Sequence, residues 1–286
     1  MTNYPNELPG QIQNRQPGIE SEMNPTPVYE YEHYKGSGKL KGKAALVTGG
    51  DSGIGRAVSV AYAKEGADIA IVYKDEHGDA EETKKRIEQE GVKCLLIPGD
   101  VGEEEFCNEA VEKTVKELGG LDILVNNAGE QHPKDSIKEI SSEQLHRTFK
   151  TNFYSQFYLT KKAIDYLKPG STIINTTSIN PYVGNPKLID YTVTKGAINA
   201  FTRTMAQALA SDGIRVNAVA PGPIWTPLIP STFSEETVAQ FGKNAPLGRP
   251  GQPVELVGSY VLLASDESSY MTGQTLHVNG GSFVTT

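Results

Sequence analysis

A glycine-rich turn between a short apolar run and an amphipathic helix constrains this chain more than any other feature. The turn reads Thr48-Gly49-Gly50-Asp51-Ser52-Gly53-Ile54-Gly55. Ala44 to Val47 lead into it, and Ile54, Ala57, Val58, Ala61 and Tyr62 mark one face of the helix that follows. Glycines permit positive φ and let a backbone approach a ligand closely. The helix start then offers unpaired N–H groups and partial positive charge, which suit a pyrophosphate. The spacing is Gly-x-x-x-Gly-x-Gly, and the glycines alone are equally well explained by a tight turn without a ligand.

The rest of the chain repeats the same alternation. Strand-like runs fall at 44–48, 68–73, 93–98, 122–126, 172–176, 215–219 and 276–278. Helix-like segments fall near 53–65, 79–90, 103–118, 141–167, 191–210 and 253–264. Ser141 with Gln144 has the form of a capping box. This order predicts an α/β fold: one doubly wound, Rossmann-type domain over 42–286, with a seven-stranded parallel sheet and helices on both faces. Residues 1–41 differ. They are rich in Pro, Asn, Gln, Glu and Tyr. They read either as a disordered tail or as an extended arm laid on its own or a neighbouring subunit. Pro25, Pro27, Val28, Tyr29, Tyr31 and Tyr34 favour the arm.

Composition narrows the function classes. A net charge of −8 argues against nucleic acid or an anionic membrane as main partner. No apolar run is long enough to span a bilayer, and no secretory signal pattern opens the chain. Cys94 and Cys107 sit in strand-like and helix-like runs and read as buried or semi-buried thiols in a reducing, cytoplasmic compartment. The five histidines show no zinc-ligand spacing, so no metal is expected. His132 alone could face a substrate.

In a doubly wound sheet, ligands bind at the carboxyl ends of the strands. Those ends carry Tyr73-Lys74, Asp100-Val101, Asn126-Asn127-Ala128-Gly129, Thr176-Thr177-Ser178 and Pro221-Gly222. Tyr191 and Lys195 stand four apart at a helix start, which puts them on one face. A lysine ammonium beside a phenol should lower the tyrosine pKa from about 10 and fit it for acid–base work. Ser178 could donate to a carbonyl oxygen as charge develops there.

Together these motifs resemble the short-chain dehydrogenase/reductase family, in its single-domain subgroup. The matching residues are Thr48-Gly49-x-x-x-Gly53-Ile54-Gly55, Asn126-Asn127-Ala128-Gly129, Asn152, Ser178, Tyr191-x-x-x-Lys195 and Pro221-Gly222. The resemblance implies an NAD(P)-dependent oxidoreductase that moves a hydride between nicotinamide and an alcohol or carbonyl substrate. Tyr191 would transfer the proton, Lys195 would lower its pKa and bind ribose, Ser178 would polarise the substrate oxygen, and Asn152 would hold a water of a proton relay. Gly49, Asp51, Ser52, Gly53, Ile54, Gly55, Tyr73 and Lys74 would bind the cofactor, with Asp100, Val101, Asn127, Ala128, Gly129, Pro221, Gly222, Ile224 and Thr226.

Asp51 near the adenosine ribose favours NAD over NADP, whereas Lys74 could meet a 2′-phosphate, so dual use stays open. The stretch 223–250 would be a substrate lid. Trp225, Leu228, Ile229 and Phe233 would either close over an apolar substrate portion or pack on the sheet or on another subunit. Asn180, Tyr182 and Gln131 would face the same pocket. The resemblance also implies a homotetramer. The alternative to an enzyme is a catalytically silent dinucleotide-binding sensor or scaffold on the same fold.

Overall fold

A computed structural model describes residues 4–285. The elements in chain order are β1 (Ala44–Thr48), α1 (Gly53–Lys64), β2 (Asp68–Tyr73), α2 (His77–Glu88), β3 (Cys94–Pro98), α3 (Glu104–Leu118) and β4 (Ile123–Asn126). The second half continues with α4 (Ser142–Phe149), α5 (Ser155–Ala163), β5 (Thr172–Thr176), α6 (Asn180–Val183) and α7 (Ile189–Leu209). It closes with β6 (Arg215–Pro221), α8 (Glu235–Gln240), α9 (Val257–Ala264) and β7 (Thr275–Val278). All seven strands pair in parallel, in the order β3-β2-β1-β4-β5-β6-β7. The order reverses direction beside β1, which opens a crevice at the strand ends.

Both faces of the sheet are buried, which is why the strands read as unbroken apolar runs rather than alternating ones. Ala45, Val47, Ile69 and Ile71 pack on one side against α1 and α9. Leu46, Ala70, Val72 and Leu124 pack on the other side with residues of α3, α5 and α7. Cys94 and Cys107 are buried free thiols.

The helix expected over 141–167 is broken. A π-helical turn at Lys150–Tyr154 separates α4 from α5 and carries Asn152. The widened turn is held by Asn152 itself, whose amide bonds both backbone groups of Glu130. The capping box forms by half. Ser141 Oγ accepts from Gln144 N–H at 3.1 Å, but the Gln144 side chain donates instead to His132 O and to Asp190, each at 3.0 Å.

The arm lies against the same chain. Trp225 Nε1 donates to Pro25 O at 2.8 Å, Val28 N–H donates to Gln252 Oε1 at 2.9 Å, and Val254 N–H donates to Val28 O at 3.0 Å. Leu8 and Met23 are buried with Trp225, Ile229 and Val238. Tyr29, Tyr31 and Tyr34 join the core on the α1 side.

Candidate active site

The glycine turn bends where only glycine bends easily: Gly49 has φ +61° and Gly53 has φ +52°. β4 is stitched to the turn. Thr48 Oγ1 accepts from the backbones of Asn127 at 2.9 Å and Ala128 at 3.0 Å, and Asn127 Nδ2 donates back to Thr48 O at 3.0 Å. A cleft of about 570 Å³ opens above this junction. Gly49, Asp51, Ser52, Gly53 and Ile54 line it from the turn, with Tyr73, Lys74, Asp100 and Val101 from the ends of β2 and β3. Asn127, Ala128, Gly129, Pro221, Gly222, Ile224 and Thr226 line its other half. Gly55 does not. A Cβ there would sit 1.8 Å from Gly49 O, so this glycine serves close packing of α1 on the turn rather than ligand contact.

Ser178, Asn180, Tyr191, Lys195 and Gln131 line the same cleft. Lys195 is buried, and Nζ donates to Thr176 O at 2.9 Å while standing 5.5 Å from the centroid of the Tyr191 ring. Burial opposes the expected fall of the Tyr191 pKa. It pushes the phenol up to about 12, and the hydrogen bond with Ser178 only partly offsets that. Burial likewise pulls Lys195 down to about 8. Taking either charge out of water is the larger effect here.

Asn152 does not line the cleft. Its Oδ1 accepts from Glu130 N–H at 2.8 Å, and Nδ2 donates to Glu130 O at 2.9 Å and Thr194 Oγ1 at 3.1 Å. It sits just behind the wall: a Cβ on Gly129 would lie 3.4 Å from Asn152 Oδ1 and 3.6 Å from Lys195 Nζ. Trp225 and Tyr182 are further corrections. Trp225 is fully buried beneath the arm and contributes nothing to the cleft surface. Tyr182 packs in a three-ring cluster, edge-on to His277 at 4.7 Å and tilted on Phe283 at 5.0 Å. His132 faces Glu130 at 3.3 Å rather than the cleft. Leu228, Ile229 and Phe233 do line it, and the segment that carries them is pinned at its base, where Trp225 N–H donates to Gly251 O and Gly251 N–H to Pro223 O, each at 2.8 Å.

Several cleft residues escaped the sequence reading. Glu76 is buried beside Tyr73 and Lys74, and burial raises its carboxyl well above the usual range. Arg147 ties Asp100 Oδ2 at 2.7 Å to Glu130 Oε2 at 3.1 Å. Gln16, Pro17 and Gly18 of the arm also line the cleft. Neither Arg147 nor the arm residues carried a local sequence signal.

Residues 49–282 match the family model described as enoyl-(acyl carrier protein) reductase. The chain belongs to the short-chain dehydrogenase/reductase family. Membership makes it an oxidoreductase with a Rossmann-type sheet that uses NAD(P). General stress protein 39 of Bacillus subtilis (strain 168) is 89% identical over 286 residues and covers 100% of both chains. Glucose and ribitol dehydrogenase of Daucus carota is 50% identical, over 97% of this chain and 98% of the relative. Among solved structures, a short-chain dehydrogenase from Burkholderia cenocepacia J2315 in complex with NADP is 28% identical with a TM-score of 0.78. That match covers 98% of the neighbour but 85% of this chain, a shortfall of about the arm's size. No helix among the described residues is long and apolar enough to cross a membrane.

Proposed function

We propose that this protein interconverts an alcohol and a carbonyl compound, with Tyr191 as the acid–base group. The observation that carries the reading is the convergence of Ser178, Tyr191 and Lys195 in one cleft with the glycine turn. The turn fits a dinucleotide. A Cβ on Gly53 would meet Thr226 Cγ2 at 3.1 Å and one on Gly49 would meet Asn127 Nδ2 at 3.2 Å, and both positions have positive φ, so the turn keeps its shape most easily with glycine. A bound nicotinamide would supply or take up the hydride.

The chain's own residues do the rest. Ser178 Oγ holds the substrate oxygen and donates to it as negative charge grows. Tyr191 Oη gives that oxygen its proton in reduction and takes one in oxidation. Lys195, cationic below about pH 8, lowers the energy of the phenolate left behind and holds the nicotinamide ribose. Asn152 takes its place in the proton relay to solvent. With its amide committed to Glu130 and Thr194, it would have to hold a relaying water through its main chain. Asn180, Gln131, Leu228 and Phe233 give the substrate end a mixed polar and apolar lining, suited to a small sugar, polyol or aldehyde.

For the adenosine corner we propose a preference for NAD. Asp51 lines it as a carboxylate, while Lys74 is tied to Asp100 at 3.6 Å and Glu76, whose carboxyl pKa burial raises, pairs with Arg15 at 3.1 Å. Ribose hydroxyls suit carboxylates, and a 2′-phosphate does not. Burial raises the Asp51 carboxyl to about 6, so the repulsion weakens as pH falls through that value. We further place the enzyme in the cytoplasm as a homotetramer. The exposed Tyr154 and Phe157 on and beside α5 are available for subunit contacts.

The test is a thermal-shift titration with NAD and NADP side by side, followed by an alcohol and carbonyl panel with the better binder. Ligand bound only to the folded state raises stability with the logarithm of its concentration over Kd. A larger shift with NAD and turnover of a polyol or aldehyde is expected. Stabilisation without turnover of any such compound would favour the sensor reading instead. Asp51→Ser should improve NADP use relative to NAD, and no change would remove the electrostatic argument.

A further inference from the structure

We infer that Gln16, on the N-terminal arm, is a positioning residue for the reaction: it clasps the 223–250 segment shut over the cleft. The inference rests on the proposed function only for its kinetic consequence. The clasp itself is geometry.

Both ends of the Gln16 amide are bonded. Nε2 donates to Gln131 O at 2.8 Å and to Ser231 O at 3.3 Å, and Oε1 accepts from Gln131 N–H at 3.2 Å. Gln131 follows β4, and Ser231 belongs to the segment that carries Leu228, Ile229 and Phe233. One amide therefore ties three stretches that are far apart in sequence, at the rim of the cleft it helps to line. A side-chain bond from Gln131 Nε2 to Thr232 Oγ1 at 3.3 Å closes the same seam.

A second observation is independent of that amide. The arm backbone lies directly on the segment: a Cβ on Gly18 would sit 2.5 Å from Pro227 O. Gln13 N–H donates to Pro230 O at 2.8 Å, and Leu8 and Met23 cover Ile229 and Val238. A free lid must close each time substrate binds, so its apparent affinity falls by the fraction that is closed. A lid held from outside by an arm avoids that loss. Loss of the Gln16 bonds should therefore act on substrate affinity and spare the proton transfer at Tyr191.

The experiment compares the full-length wild type with Gln16→Ala and with Gln16→Met, which keeps the side chain's length and removes its hydrogen bonds. Hydrogen–deuterium exchange is read first, without any ligand. Peptides over 129–133 and 228–241 should exchange about tenfold faster in both variants, while β1 and α1 stay unchanged. Steady-state kinetics with a small aldehyde should then show KM raised about tenfold and kcat lowered by no more than about twofold.

Unchanged exchange over 228–241 overturns the clasp. Faster exchange with KM unchanged, or a fall in kcat alone, overturns the positioning role. Should Gln16→Ala fail to fold, Gln16→Met decides. Should the wild type turn over no alcohol or carbonyl compound, the proposed function falls, and the clasp stands or falls on exchange alone.

Discussion

Lys195 Nζ stands 5.5 Å from the Tyr191 ring centroid while donating to the carbonyl of Thr176 at 2.9 Å. The ammonium is anchored to the end of β5, the strand that also delivers Ser178. One strand end and one helix face thus set the spacing of all three side chains. The rigidity comes from the sheet, and the chemistry comes from what its ends carry.

Tyr191→Phe removes the only hydroxyl in that group able to exchange a proton as a phenol. It should lower kcat by roughly 10²–10⁴-fold and leave dinucleotide affinity within about twofold. Single-turnover kinetics beside equilibrium dinucleotide binding separates the two. An equal loss in binding would mean that Tyr191 holds the cofactor rather than the proton.

Lys195 is buried with its pKa lowered to about 8 from 10.5. Between those values the unfolded chain binds the proton and the folded chain has released it, so stability rises with pH across the window. Wild type should gain on the order of 3 kcal/mol relative to Lys195→Met between about pH 8 and pH 10.5. Urea unfolding of both proteins at the two ends of that range checks this.

Glu20 carries the opposite sign. It accepts from Gly53 N–H at 2.5 Å, pairs with Arg56 at 2.6 Å, and is pushed up by burial from 4.5 to about 7. The folded state therefore holds the proton longer, and that stabilisation is full below about pH 4.5 and lost as pH rises through about 7. Wild type should fall relative to Glu20→Gln by roughly 3 kcal/mol over this window. A flat difference would show that burial leaves the Glu20 pKa at its unfolded value.

Two glycines should respond oppositely to alanine. At Gly55 the added carbon would lie 1.8 Å from Gly49 O, so the turn itself must move. Gly55→Ala should destabilise by about 3 kcal/mol or more and abolish dinucleotide binding. Gly258 lies exposed in α9 with nothing within 4 Å of the added carbon. Gly258→Ala should stabilise by about 0.5–1 kcal/mol. Thermal melts with and without dinucleotide read both.

The sheet and most of the residues that line the cleft were legible in the sequence. Apolar runs at 44–48, 68–73 and 172–176 became strands over those residues because a sheet buried on both faces imposes one strong local pattern. Gly49, Gly53, Ser178, Tyr191 and Lys195 could be picked out because each lies at a strand end or at a helical spacing that local geometry dictates. Tertiary structure decided the rest. Trp225 and Tyr182 carried no local mark of which way they face, and packing turned both away from the cleft. The break in the helix at Lys150–Tyr154 depends on Asn152 gripping Glu130, a partner remote in sequence. Placement of Gln16, Glu20 and Gly18 against the cleft and turn follows from no periodicity at all. An extended arm owes its conformation to the surface beneath it, and that surface exists only once the sheet has folded.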